Sequence, residues 1–137
     1  MRSPGLTRLA VYMTKPFARF ARRARIENEK LWEAARLASI GIVDADLGGG
    51  VIKQRIARAG AGKSGGIRVI VLFRFTGRAV FVHGFEKKDV GNISSNELVA
   101  FKELADVILR YSDQGIERRV AEGALIKITP RLEVRND

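Results

Sequence analysis

Two hydrophobic periods alternate along the chain. Residues 7–14, TRLAVYMT, are rich in β-branched and aromatic side chains and end at Lys15-Pro16, which predicts a strand. Phe17, Phe20, Ala21 and Ala24 then recur at helical spacing, with Arg19, Arg22, Arg23 and Arg25 between them. Pro16 suits the first turn of that helix. A second helix is predicted from near Asn28 to about Ile40, with Leu31, Ala34, Ala35 and Ala38 as its stripe and Gly41 as its stop. Trp32 sits beside the stripe and reads as a packing anchor. The two helices are expected to form a hairpin. Asp44 to Gly50, DADLGGG, reads as a turn cluster.

The period then shortens. Val51–Ala59 predicts a strand, residues 60–66 a glycine-rich loop, and Ile67–Phe75 a second strand, apolar on both parities and therefore central. Thr76-Gly77-Arg78 predicts a turn and Ala79–Phe85 a third strand. Ser94 or Ser95 caps a helix in which Leu98, Phe101, Leu104, Ala105, Ile108 and Leu109 keep period 3.6 to about Tyr111. A short helix (Ile116–Glu122) and a weak strand (Leu125–Thr129) follow. The order β-α-α-β-β-β-α predicts an α+β domain, with helices on a mostly antiparallel sheet.

Composition narrows the chemistry. At 137 residues the chain is the size of one domain. It has no cysteine, which excludes disulfide scaffolds, thiolate metal sites and cysteine nucleophiles. It has one histidine, His83, which excludes a histidine pair. Asp44 and Asp46 lack convergent ligands, so no metal or other cofactor is expected. No run of about 18 apolar residues could span a membrane, and the N-terminus lacks a secretory apolar core. A cytoplasmic protein without membrane association is expected. Met13 is an alternative start, but beginning there would delete most of the first strand, so the longer start is expected.

The net charge of +10 points to a polyanionic partner. It is unevenly placed. Residues 52–88 hold nine Lys/Arg (Lys53, Arg55, Arg58, Lys63, Arg68, Arg74, Arg78, Lys87, Lys88) against one acid, Glu86. A solvated surface normally mixes both signs, so this block predicts a phosphate-facing patch. Lys53 and Arg55 are two apart and leave one face of their strand. Arg68 opens the next strand, and Lys87 and Lys88 end the third. Arg58 has the opposite parity to Lys53 and Arg55. Gly62-Lys63-Ser64 suggests a phosphate-binding P-loop, but Ala57 stands where that motif needs glycine, and a strand follows instead of a helix. The loop remains a place where backbone amides and Lys63 can approach a phosphate. His83 shares strand parity with Phe81 and Phe85 and reads as structural. Glu86 reads as a partner for Lys87.

The stretch from Asp44 to Ile93 resembles the RelE-like toxins of type II toxin–antitoxin systems. The pattern is the turn Gly62-Lys63-Ser64-Gly65-Gly66 followed by an aliphatic residue and Arg68, the strand end Gly84-Phe85-Glu86-Lys87, and upstream Lys15-Pro16-Phe17-Ala18-Arg19-Phe20-Ala21-Arg22. The likeness is strongest to the subfamily with the GKSGG turn. It spans about residues 9–112, leaving 113–137 as a C-terminal extension of a single domain. It implies a RelE-like fold and a metal-independent, ribosome-dependent endoribonuclease, an mRNA interferase leaving 2′,3′-cyclic phosphate and 5′-hydroxyl ends. It implies an antitoxin partner, with ribosome and mRNA as targets. Members of the same fold that inhibit DNA gyrase, or that bind RNA without cutting it, are the alternatives. By position, the resemblance implies catalytic roles for Lys53, Arg55, Arg68, Lys87 and Lys88, and RNA contacts from Arg58, Lys63, Ser64 and Arg74. Some members place a catalytic tyrosine just past the third strand; residues 89–96 contain none.

Overall fold

A computed structural model of the protein describes residues 9–57, 66–86 and 93–129. Its elements are β1 (Ala10–Thr14), α1 (Lys15–Ala24), α2 (Asn28–Ser39), β2 (Ala45–Gly48), β3 (Val51–Ile56), β4 (Ile67–Arg74), β5 (Arg78–Glu86), α3 (Ser95–Ile108), α4 (Asp113–Ala121) and β6 (Leu125–Ile128). The strands form one sheet in the order β2-β3-β4-β5-β1-β6. Among the described strands only the β1–β5 pair is parallel. The expected α+β architecture with a mostly antiparallel sheet is therefore what the chain forms.

Local chemistry explains the boundaries. The Thr14 side chain accepts from the Phe17 backbone N–H, and Pro16 lies in the first turn of α1. Arg25 ends α1 at φ 59°, a left-handed cap. Ser94 and Glu97 close a reciprocal capping box at the start of α3. Among the described residues no helix is long and apolar enough to cross a membrane.

The sheet is covered on both faces. Phe17, Ala21, Leu31, Ala35 and Ala38 of α1 and α2 pack on one face, against Ile52, Val69, Val71, Phe81 and Ile128. Ala105, Ile108 and Ile116 of α3 and α4 pack on the other, against Val51, Ile70, Leu72 and Val80. This is why β4 is apolar at both parities: seven of its eight residues are buried.

Three elements, β2, β3 and β5, depart from the sequence expectation. The turn cluster 44–50 contains a four-residue edge strand, β2, which ends at Gly48 and turns through Gly49 and Gly50, all three glycines at positive φ. Asp46 accepts from the Gly48 backbone N–H and so starts that turn. Strand β3 stops at Ile56, and Arg78 opens β5, opposite Arg74. β5 carries a bulge: Ile70 faces His83 but Val71 faces Phe81, leaving Val82 as the extra residue. The bulge puts His83 and Phe85 on the α3 face and Phe81 on the α1 face, so His83 does not share the side of Phe81. The expected short helix and weak strand form as α4 and β6: α4 buries Ile116, and β6 pairs with β1, burying Leu125 and Ile128. Residues within 113–128 thus contribute to the sheet and the core.

Candidate nucleic-acid interface

The register assembles the cations of the central block. Arg55 pairs directly with Arg68, and Lys53 with Ile70, across β3 and β4. On β5 the same two rows continue to Phe85 and His83. Lys53, Arg55, Arg68, His83 and Phe85 therefore leave the sheet on one side, the side that α3 covers only in part. Neighbouring strands lie about 4.8 Å apart, which puts His83 roughly 10 Å across the sheet from Lys53. The His83 ring stacks at 5.5 Å from Phe101 of α3 and 5.9 Å from Phe85, so it stands at the edge of the covered area, half-buried.

Arg68 has the most telling surroundings. Its residue is 9% exposed. Nε lies 3.7 Å from a carboxylate oxygen of Asp44, and among the described residues Nη1 is buried without a hydrogen-bond partner, as is Nε of Arg74 at the other end of the strand. A buried donor left unmade costs about 1–3 kcal/mol, more when charged, so such a group points to a missing acceptor. Gly66 makes the pose possible: a Cβ there would sit 3.3 Å from Arg68 Nη1. Arg55 stands directly opposite with its side chain exposed. Like charges facing each other across two strands repel.

A second arginine pair shows how such repulsion is ordinarily offset. Arg74 faces Arg78 at the other end of the same two strands. There the C-terminus of α3 supplies acceptors. Arg78 donates to the carbonyls of Ile108 (3.1 Å) and Tyr111 (2.7 Å) and to Asp113 (3.1 Å), and Arg74 donates to the Leu109 carbonyl. The negative end of the helix dipole neutralises both. Burial holds the Arg78 guanidinium below the ordinary arginine pKa, with Arg74 adding to the effect and Asp113 opposing it. Among the described residues no such set of carbonyls faces Arg55 and Arg68.

The sequence-based candidates thus divide. Lys53, Arg55 and Arg68 come together on one face. Arg74 stands six residues along β4 from Arg68, roughly 20 Å away at strand rise, and is engaged with α3. Arg58, Lys63, Ser64, Lys87 and Lys88 lie outside the described residues. His83 is the residue that sequence reasoning set aside; only the bulge at Val82, which the sequence does not announce, reveals which way it faces. A hollow of about 620 Å³ beside Gly48–Gly50, Phe73, Phe75 and Leu109 opens at the Arg74 end and takes no part in this face.

Comparison with known proteins identifies the family. The family model described as RelE toxin of the RelE / RelB toxin-antitoxin system matches residues 9–128, nearly the whole chain and past the 112 at which the sequence likeness was bounded. No curated protein matches. A family of toxins paired with antitoxins implies an antitoxin partner. With strands, helices and the cationic rows all inside the matched span, the chain belongs to the RelE toxin family.

Proposed function

We propose that the protein is an mRNA interferase: a metal-independent endoribonuclease that cuts mRNA on the ribosome, in the cytoplasm, until its antitoxin restrains it. The observation that carries this reading is the Arg55/Arg68 pair, two arginines directly opposed in the register of β3 and β4, one of them buried with a nitrogen that has no partner among the described residues. A phosphate seated between them would supply the acceptor that Arg68 lacks and offset the repulsion that Arg55 adds. Arginine's planar fork suits two phosphate oxygens at once.

The reaction needs only groups of this kind. The RNA 2′-hydroxyl oxygen attacks the adjacent phosphorus and its proton passes to a base. The bond from phosphorus to the 5′-oxygen breaks, and that oxygen takes a proton. The products are a 2′,3′-cyclic phosphate and a 5′-hydroxyl. Charge gathers on the non-bridging oxygens in the transition state, where fixed cations stabilise it most. Arg55 and Arg68 fill that role. His83 is a described side chain on the same face suited to take the 2′-hydroxyl proton, and Lys53 adds a cation beside the phosphate. Lys87 or Lys88 is assigned to the leaving oxygen. Lys63, with Ser64 and Arg58, is assigned to contacts with the RNA backbone.

Expression without antitoxin, followed by mapping of mRNA 5′ ends, tests this. Codon-periodic cuts confined to translated messages are expected, and Arg68→Ala should abolish them while the chain stays folded. Growth arrest with intact mRNA, or arrest through DNA damage, would contradict it.

A further inference from the structure

The opposite side of the molecule carries a second cationic surface. Helix α1 reads KPFARFARRA, and its buried residues are Phe17, Ala18, Ala21 and Ala24. At about 100° per residue, Lys15, Arg19, Arg22 and Arg23 fall within roughly a 100° arc on the other side. All four are exposed. Among the described residues none of them forms an ion pair. Arg25, at the helix's left-handed cap, extends the row and is also exposed.

Helix physics does not ask for this arrangement. Like charges at i,i+4, such as Lys15 with Arg19 and Arg19 with Arg23, repel. Arg22 and Arg23 sit at the C-terminal end, where the dipole favours cations, but Lys15 and Arg19 occupy the half where it does not, and the first turn has no acid. The acids nearest in sequence, Glu27, Glu29 and Glu33, lie at the N-cap of α2 and within it, and Glu33 is held by Arg36.

We propose that the outer face of α1, through Lys15, Arg19, Arg22 and Arg23, binds the phosphate backbone of structured RNA, separately from the Arg55/Arg68 face. The arc contains no apolar residue. A protein partner would need an apolar, water-excluding centre, whereas a phosphate backbone needs only cations on an exposed ridge. The row also has a suitable pitch. Lys15, Arg19 and Arg22/Arg23 climb the helix in steps of about 6 Å at 1.5 Å per residue. α1 packs on the sheet face away from Arg55 and Arg68. The protein can therefore grip one RNA backbone with α1 while a single strand lies across the other face. The inference uses α1 alone and stands whether or not the β-sheet face cuts RNA.

The test is binding of the full chain to a labelled RNA hairpin of about 20 base pairs, titrated between about 50 and 200 mM salt. Arg19→Gln, Arg22→Gln and Arg23→Gln together should flatten the slope of log K against log salt by about 2–3, since each phosphate contact releases just under one counterion. The triple Arg→Lys variant should keep the wild-type slope. Removing equal charge elsewhere (Lys30→Gln, Arg110→Gln, Arg118→Gln) should change it by less than half as much. Equal flattening in both Gln triples would overturn the proposal, as would no hairpin binding by the wild type. So would loss of binding to poly-glutamate in the α1 triple with the RNA slope unchanged, which would assign the surface to an acidic protein. Arg68→Ala should retain hairpin binding, so a failure of the cleavage reading registers separately.

Discussion

Gln54 offers a sharp test of how the cationic face is held. It is 4% exposed on β3, on the α1/α2 side of the sheet. Its amide nitrogen donates to the carbonyls of Ala34 (2.9 Å) and Ile42 (3.0 Å), and its oxygen accepts from the Asp44 backbone N–H (2.8 Å). One side chain thus ties α2, the connection after it and the entry to β2, and it fixes the backbone that presents Asp44 to Arg68. Replacing Gln54 with Met keeps the volume and removes all three bonds. At about 1 kcal/mol net per bond the loss would be about 3 kcal/mol. Asp44 N–H keeps a second acceptor, the Lys53 carbonyl at 3.1 Å, which lowers the sum. The Ile42 carbonyl is left without its partner, which raises it. A loss of about 2–3 kcal/mol is expected, a large share of a typical 5–15 kcal/mol total. Urea unfolding reads it directly: with an m-value of about 1–3 kcal/mol/M, the midpoint should fall by about 0.7–3 M at unchanged m. A Met variant within 0.5 kcal/mol of wild type, on the order of a neutral surface substitution, would refute the claim that this amide anchors the α2–β2 connection.

Two further outcomes follow from other contacts. A Cβ on Gly84 would lie 2.2 Å from Phe20 Cε2, so Gly84→Ala should cost about 1–3 kcal/mol by overpacking in thermal or urea unfolding, and Phe20→Leu in the same chain should recover part of it. Glu97 is held below the ordinary carboxylate range chiefly by the Ser94 backbone N–H, with the Ser94 hydroxyl and His83 adding to it. A depressed carboxyl stabilises the fold above its unfolded pKa of about 4.3, and that contribution is lost as pH falls through the lower folded value. The Tm of Glu97→Gln should therefore lie below wild type at pH 7, and the gap should close below pH 4; a gap that persists there would count against the capping box.

Much of the fold is legible along the chain because its signals are local. Pro16, the Ser94–Glu97 spacing and the apolar stripes of the helices each act within a few residues, and the two-sided burial of β4 shows as an unbroken apolar run. What stays hidden depends on distant partners. β2 is a short edge strand inside a turn-like composition, and only pairing with β3 makes it a strand. β6 joins the sheet through β1, with Val11 opposite Ile128, and nothing near residue 128 declares that pairing. The candidate site divides in the same way. Strand parity placed Lys53 and Arg55 together, and the glycine turn placed Arg68 near them. Which arginines are already engaged is a tertiary fact: Arg74 and Arg78 are taken up by the carbonyls ending α3, some thirty residues on. The direction of His83 depends on one inserted residue, Val82, which shifts the register of everything after it.

The central claim is that opposed arginines on the sheet hold a scissile RNA phosphate on the ribosome. It is tested most directly with purified protein, ribosomes programmed with end-labelled mRNA and an empty A site, and chemical analysis of both cut ends. The account expects a cut within the A-site codon, a 2′,3′-cyclic phosphate upstream and a 5′-hydroxyl downstream, little cleavage of the same RNA free in solution, and loss of cutting in Arg68→Ala and Arg55→Ala. Intact mRNA in the wild-type reaction, 5′-phosphate ends, or undiminished cutting by Arg68→Ala would contradict it.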